Sequence, residues 1–153
     1  MTADVTVTRD ITAAPEVLWN LISDLPRMGE WSPENTGGSW TGGATGAAVG
    51  AKFVGSNSNG KKSWKTTCMV SECASPRTFA FEVASGPVKV ARWGYSIEPT
   101  ATGSRVTETW LDRRAWLIKK LGKPFSGVAD RASFNRAGME ETLRKLAEHA
   151  ESS

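Results

Sequence analysis

Between residues 128 and 150 the positions Val128, Ala132, Asn135, Met139, Leu143, Leu146 and Ala150 recur at helical spacing, all apolar except Asn135. At 100° per residue they fall within about a quarter of a turn, the pattern of one buried helix face. The stretch reads as a helix of roughly 22 residues, about 33 Å long. Most of such a helix's stability comes from packing its apolar face, so the rest of the chain must supply a broad apolar surface.

What precedes it reads largely as strands. In "DVTVTRDI" Val5, Val7 and Ile11 alternate with Thr6, Thr8 and Asp10, as in a half-buried strand. Pro15 suits the first position of a helix, and Leu18, Leu21, Ile22 and Leu25 follow at helical spacing. Pro26 breaks that helix, and "RMGEW" reads as a second short helical turn ended by Pro33. Eight of the fifteen glycines lie between Gly37 and Gly60, so this region reads as turns bracketing a strand at "AKFVGS". "KSWKTTCMVSEC", "TFAFEVAS", "KVARWGYSIEP" and "SRVTETWLD" are further strands, joined by hairpin connections at "ASPR" and "EPTATGS". Serial short strands imply an antiparallel sheet. A straight helix cannot touch a strongly curved sheet along its whole length, so a gap should remain between them. Seven tryptophans against one tyrosine suit either a tryptophan-rich core or an aromatic-walled binding surface, and the two are compatible. Trp31 and Trp40, in "DLPRMGEWSPENTGGSW", are expected to line or seal the mouth of that gap.

The remaining composition excludes several functions. A net charge of +3 is too small to argue for nucleic acid. No apolar run is long enough to span a membrane, and "MTADVTVTRD" is no secretory signal, so the expected location is cytoplasmic. Cys68 and Cys73 fall on opposite parities of one strand, which argues against a disulfide between them. The one histidine, His149, sits at the end of the last helix, leaving little room for a histidine-dependent triad or a metal site. "GSNSNGKK" has the glycine and lysine spacing of a phosphate loop. However, Lys62 stands where a hydroxyl is needed and a strand follows, so it reads as a hairpin turn.

The segments "ITAAPEVLWNLISDLPRMGEWSPE", "WGYSIEPTATGSRVTETW" and "SGVADRASFNRAGMEETLRKLAEHAE" resemble the START-like, helix-grip (SRPBCC) superfamily, within it the polyketide cyclase/dehydrase and lipid-transport-like group. The resemblance covers nearly the whole chain and implies one α+β domain over residues 1–153. In it a curved antiparallel sheet of about seven strands wraps a long C-terminal helix, with two short helices after the first strand and a ligand cavity between sheet and helix. It does not fix the ligand.

Within that frame Trp31, Trp40, Trp64, Trp93, Tyr95, Trp110, Asn135 and Met139 are the expected ligand-binding residues. Glu108, Tyr95 and Arg131 are candidates for proton transfer. For Glu108 two orientations are open. It faces the cavity with Val106 and Trp110, or, the ordinary expectation for a carboxylate, it faces water while Thr107 and Thr109 turn inward. Tyr95 is either a ligand contact or a core residue with a backbone partner, and Arg131 either meets an anionic ligand group or pairs with Asp130 or surface glutamates. Asn135 needs a polar partner, whether a neighbour or a ligand. Gly138 either permits close helix–sheet approach or is merely tolerated. In "DRRAWLIKKLGKPF" (112–125) bases interleave with Trp116, Leu117 and Leu121; this reads as a lid, and the pattern also suits transient contact with a membrane surface or a partner groove. The expected function is carriage or binding of a small hydrophobic or amphipathic ligand, a lipid, polyketide-like or isoprenoid molecule, with no cofactor. The alternatives are a cyclase-, aromatase- or dehydratase-like enzyme working without metal or nucleotide, and an interaction protein using residues 112–125.

Overall fold

The structure, a computed structural model, describes residues 3–114 and 130–152. The expected lid residues Trp116, Leu117 and Leu121, and the first stripe position Val128, lie outside them. Strand β1 (Val5–Ile11) leads into α1 (Pro15–Ile22) and a 3-10 helix (Leu25–Glu30). Six strands follow: β2 (Asn35–Thr41), β3 (Lys52–Ser58), β4 (Ser63–Ala74), β5 (Thr78–Ser85), β6 (Val88–Pro99) and β7 (Ser104–Asp112). Helix α2 (Arg131–Glu151) closes the order. Leu25 thus belongs to the 3-10 helix rather than to α1, because Pro26 sits at a helix start, where its missing N–H costs nothing.

All seven strands join one antiparallel sheet in the order β1-β7-β6-β5-β4-β3-β2. Strands β2 to β7 form a meander, and β1 pairs with the last strand across the fold. The sheet curves, helped by register shifts after Asn35, after Val70 and after Val83, since a bulge bends and twists its strand. The bulge at Ser71 corrects one expectation. It reverses the alternation of β4, so Cys73 packs against the core on the same side as buried Cys68 instead of facing away; both are free thiols. β2 corrects another. "NTGGSWT" lacks strand-like alternation, yet it pairs with β3 from Asn35↔Asn57 to Thr41↔Lys52 as the sheet's edge. Gly38 is required there, because a Cβ would lie 2.3 Å from the Val54 carbonyl oxygen and 2.5 Å from the Phe53 ring.

Helix α2 begins where Asp130 caps it, its carboxylate accepting from the Ser133 N–H at 3.2 Å. The helix rests on β1, β7 and α1. Its C-terminal half buries Leu143, Leu146, Ala147 and Ala150 in the core. Its N-terminal half faces strands farther along the sheet and does not reach them. Trp31 and Trp40, expected at the mouth of the gap, line no part of it. Trp31 is 2% exposed and meets the His149 ring edge-on at 5.7 Å, closing the core over the last turns of α2. Trp40 meets Phe53 edge-on at 5.6 Å beside the edge strand. Trp19 of α1 does the same against Phe79 at 5.8 Å. No helix among the described residues is long and apolar enough to cross a membrane.

Candidate functional site

The gap is a cavity of about 140 Å³ between the N-terminal half of α2 and strands β3 to β7, closed at one side by Met28 of the 3-10 helix and by Pro33. An apolar cavity of about 150 Å³ accommodates a benzene ring, so this space suits one substituted ring. Of the expected ligand-binding residues it gathers Trp64, Trp93, Tyr95, Trp110, Asn135 and Met139, together with the candidates Glu108 and Arg131. Phe81, Val83 and Cys68 were missed on its wall. The alternation in "TFAFEVAS" carries a signal for the first two, since Phe79, Phe81 and Val83 share one parity and all are buried.

The register of β6 against β7 builds the polar centre. Trp93 lies opposite Trp110, Tyr95 opposite Glu108 and Ile97 opposite Val106, all on the inner face. The ordinary expectation for Glu108 is therefore overturned. Glu108 is 2% exposed, whereas Thr107 bonds the Thr8 hydroxyl on the outer face at 3.1 Å. Alternation that buries Val106 and Trp110 must bury the residue between them on the same parity. The Tyr95 hydroxyl donates to Glu108 Oε2 at 2.9 Å, while Glu108 Oε1 has no partner among the described residues. Burial pushes the Glu108 carboxyl up to about 8, only partly opposed by the Tyr95 hydrogen bond, so the group is largely neutral at pH 7. Burial and the neighbouring carboxyl also raise Tyr95 well above the usual phenol range.

A second polar group stands at the start of α2. Arg131 Nη1 donates to Glu34 Oε1 at 2.6 Å and to Asn135 Oδ1 at 3.2 Å. Arg131 thus pairs with a glutamate, as one expectation had it, the partly exposed Glu34 before β2, and the buried Asn135 gains its neighbour. Glu34 was missed. It follows Ser32 and Pro33 in a segment without periodicity, so no sequence cue marked it. The residue lines the cavity, and its Oε2 is buried without a partner among the described residues. Arg114 also lines the cavity, held by both Asp112 oxygens at 3.0 and 2.7 Å. Gly138 lines it beside Pro33, whose Cγ would stand 3.7 Å from an added Cβ, so the helix does not need a glycine there for close approach.

Other chemistry is poorly served. Burial pushes the Cys68 thiol up to about 12, so it holds almost no thiolate at neutral pH. No group of three or more His, Cys, Asp or Glu side chains among the described residues is placed to hold a metal ion.

This is a helix-grip domain with a polar-centred aromatic cavity. The chain belongs to the polyketide cyclase/dehydrase and lipid transport family, whose model matches residues 2–151. Among solved structures it is similar to the di-domain ARO/CYC StfQ from the steffimycin biosynthetic pathway. The TM-score is 0.74 at 11% identity, over 97% of this chain and 50% of that one. It is similar to CV1439 from Chromobacterium violaceum, with a TM-score of 0.71 at 13% identity, covering 96% of each chain. It also resembles the Polyketide_cyc-like protein Cgl2372 from Corynebacterium glutamicum, at 28% identity and a TM-score of 0.53, over 95% of this chain and 82% of that one. A comparison with curated proteins finds none that matches.

Proposed function

We propose that the protein binds a small, flat, mainly apolar molecule in this cavity, as a carrier or binding protein, in a cytoplasmic setting consistent with its two free thiols. The observation that carries the reading is the wall itself, which Trp64, Trp93, Phe81 and Met139 share with the buried carboxyl of Glu108. Flat apolar surface provides affinity, and a few convergent polar groups provide orientation. The family's two named roles, cyclase/dehydrase and lipid transport, both agree with it. Native mass spectrometry of freshly purified protein should find a bound small molecule, and planar aromatic probes should change tryptophan emission. If no molecule co-purifies and no probe up to its solubility limit alters the emission, the reading is wrong.

A second reading is favoured by the Tyr95–Glu108 pair. A buried carboxyl group kept neutral at pH 7 beside a cavity is equipped as a general acid. It would protonate a carbonyl or a departing hydroxyl of the bound molecule, as a cyclase- or dehydratase-like enzyme requires, and recover its proton from the product or from water. Under that reading Glu108→Gln abolishes turnover and leaves ligand affinity within a few-fold. Unchanged turnover removes Glu108 from the chemistry.

A further inference from the structure

Buried polar atoms in folded proteins are nearly always paired, so each exception requires an explanation. Among the described residues, two buried side-chain atoms lack a partner, Glu34 Oε2 and Glu108 Oε1. Both residues line the same cavity. Resting on the binding function proposed above, we infer that the ligand is an uncharged ring with two polar ends, a carbonyl-type acceptor seated on Glu108 Oε1 and a hydroxyl donor seated on Glu34 Oε2.

The two carboxyl groups differ in what they can offer. At Glu108 the Tyr95 hydroxyl donates to Oε2, which leaves Oε1 as the oxygen that carries the proton of the neutral group. Burial, which raises this carboxyl to about 8, keeps that proton in place at neutral pH. Oε1 therefore donates and calls for an acceptor. At Glu34 the opposite holds. Oε1 already accepts from the Arg131 guanidinium at 2.6 Å. Its Oε2 can only accept, and calls for a donor. The same cavity is lined by the apolar and aromatic side chains of Trp64, Phe81, Trp93 and Met139.

Charge selects further. Among the described residues, the two arginines that line the cavity are both matched, Arg131 by Glu34 and Arg114 by Asp112, with side chains 12% and 17% exposed respectively. Neither pair leaves a net positive field for an anion, and an anion at Glu34 Oε2 would meet a carboxylate oxygen. A fatty-acid carboxylate, which the family's lipid-transport heading would otherwise allow, is disfavoured. An ammonium group gains little, because the Glu34 charge is already offset by Arg131. A neutral phenol or alcohol meets no such opposition.

Four single-ring probes test the inference at pH 6.5, where Glu108 is protonated: 4-hydroxyacetophenone, acetophenone, phenol and 4-hydroxybenzoate. Binding is read by tryptophan emission and by two-dimensional NMR shifts. The two-ended ketone should bind about tenfold more tightly than either one-ended compound, since each lacks a partner for one buried oxygen. The anionic 4-hydroxybenzoate should be the weakest. Glu108→Gln, whose amide N–H still donates, should keep acetophenone affinity within about threefold, and Glu108→Leu should lower it about tenfold. Binding of all four with equal affinity, or tightest binding of 4-hydroxybenzoate, overturns the inference and leaves the binding function standing. Absence of binding by every probe overturns both.

Discussion

The neutral carboxyl at Glu108 makes folding itself depend on pH, and Glu108→Gln isolates the effect. In the folded chain this group titrates at about 8, against a usual value of 4.5. Between those limits the folded protein holds a proton that the unfolded chain releases, so raising the pH favours unfolding. The advantage of the neutral group is fully present below about 4.5 and is lost as pH climbs through about 8. At about 1.4 kcal/mol per pH unit, the separation sets a ceiling of roughly 5 kcal/mol. Water entering the cavity around an ionised Glu108 would reduce that figure, so a loss of about 2–4 kcal/mol between pH 5 and pH 9 is expected. That is a large share of the 5–15 kcal/mol typical of a domain.

Glutamine matches the shape of the neutral acid and cannot ionise. Urea unfolding of both proteins at pH 5, 7 and 9 gives the comparison, and taking wild type minus variant cancels the titration of every other group. The two should be close at pH 5, and the variant should be the more stable by about 2–4 kcal/mol at pH 9. Parallel curves across the range would refute the reasoning, because they would mean that Glu108 titrates alike in the folded and unfolded chain.

Two further substitutions follow from the same geometry. Tyr95→Phe removes the only donor to Glu108 Oε2 found among the described residues, which should cost about 1–3 kcal/mol at pH 5 and, because that bond favours the ionised form, shift the pH-dependent loss of stability upward; urea unfolding across pH reads both effects. Gly138→Ala should stabilise the fold by about 0.5–1 kcal/mol in thermal melts, because an added methyl meets only Pro33 at ordinary contact distance and the helix loses a flexible position.

The long helix was legible because Asn135, Met139, Leu143, Leu146 and Ala150 repeat one period and are all buried on one face, although Ala132, expected in the same stripe, is exposed. The strands carrying β-branched or aromatic residues on alternate positions were legible for the same reason. β2 was not, since "NTGGSWT" becomes a strand through its pairing with β3 rather than through any pattern of its own. The facing of Cys73 was lost to the extra residue at Ser71, which reverses parity without any mark in the sequence. Trp31 and Trp40 were assigned to the cavity because tryptophan count says how much aromatic surface exists and nothing about which part stays uncovered. Trp31 is instead claimed by His149 from the far end of the chain, and Trp40 by Phe53 across the edge pair.

Glu108 was ambiguous for a more instructive reason. Parity joined it to Val106 and Trp110, while the general habit of carboxylates placed it in water, and parity won because two large neighbours outweigh one charge that can be neutralised. Several other carboxylates among the described residues follow the habit. Asp10 pairs with Arg105, Glu82 with both Arg92 and Arg113, and Glu72 with Arg92, all on exposed or half-exposed sites. Places where a sequence breaks such local rules point to its functional site, and both carboxylates with an unpaired buried oxygen, Glu108 and Glu34, line one cavity. An apolar residue at position 108 would pack against Trp110 and Tyr95 with no pH-dependent cost. Within the fold alone the carboxyl group weakens the protein at alkaline pH and leaves an oxygen unpaired. A ligand that accepts from that oxygen supplies the missing bond and favours the neutral form, so it should bind and stabilise the fold most below about pH 8, where Glu108 keeps its proton, and progressively less above it.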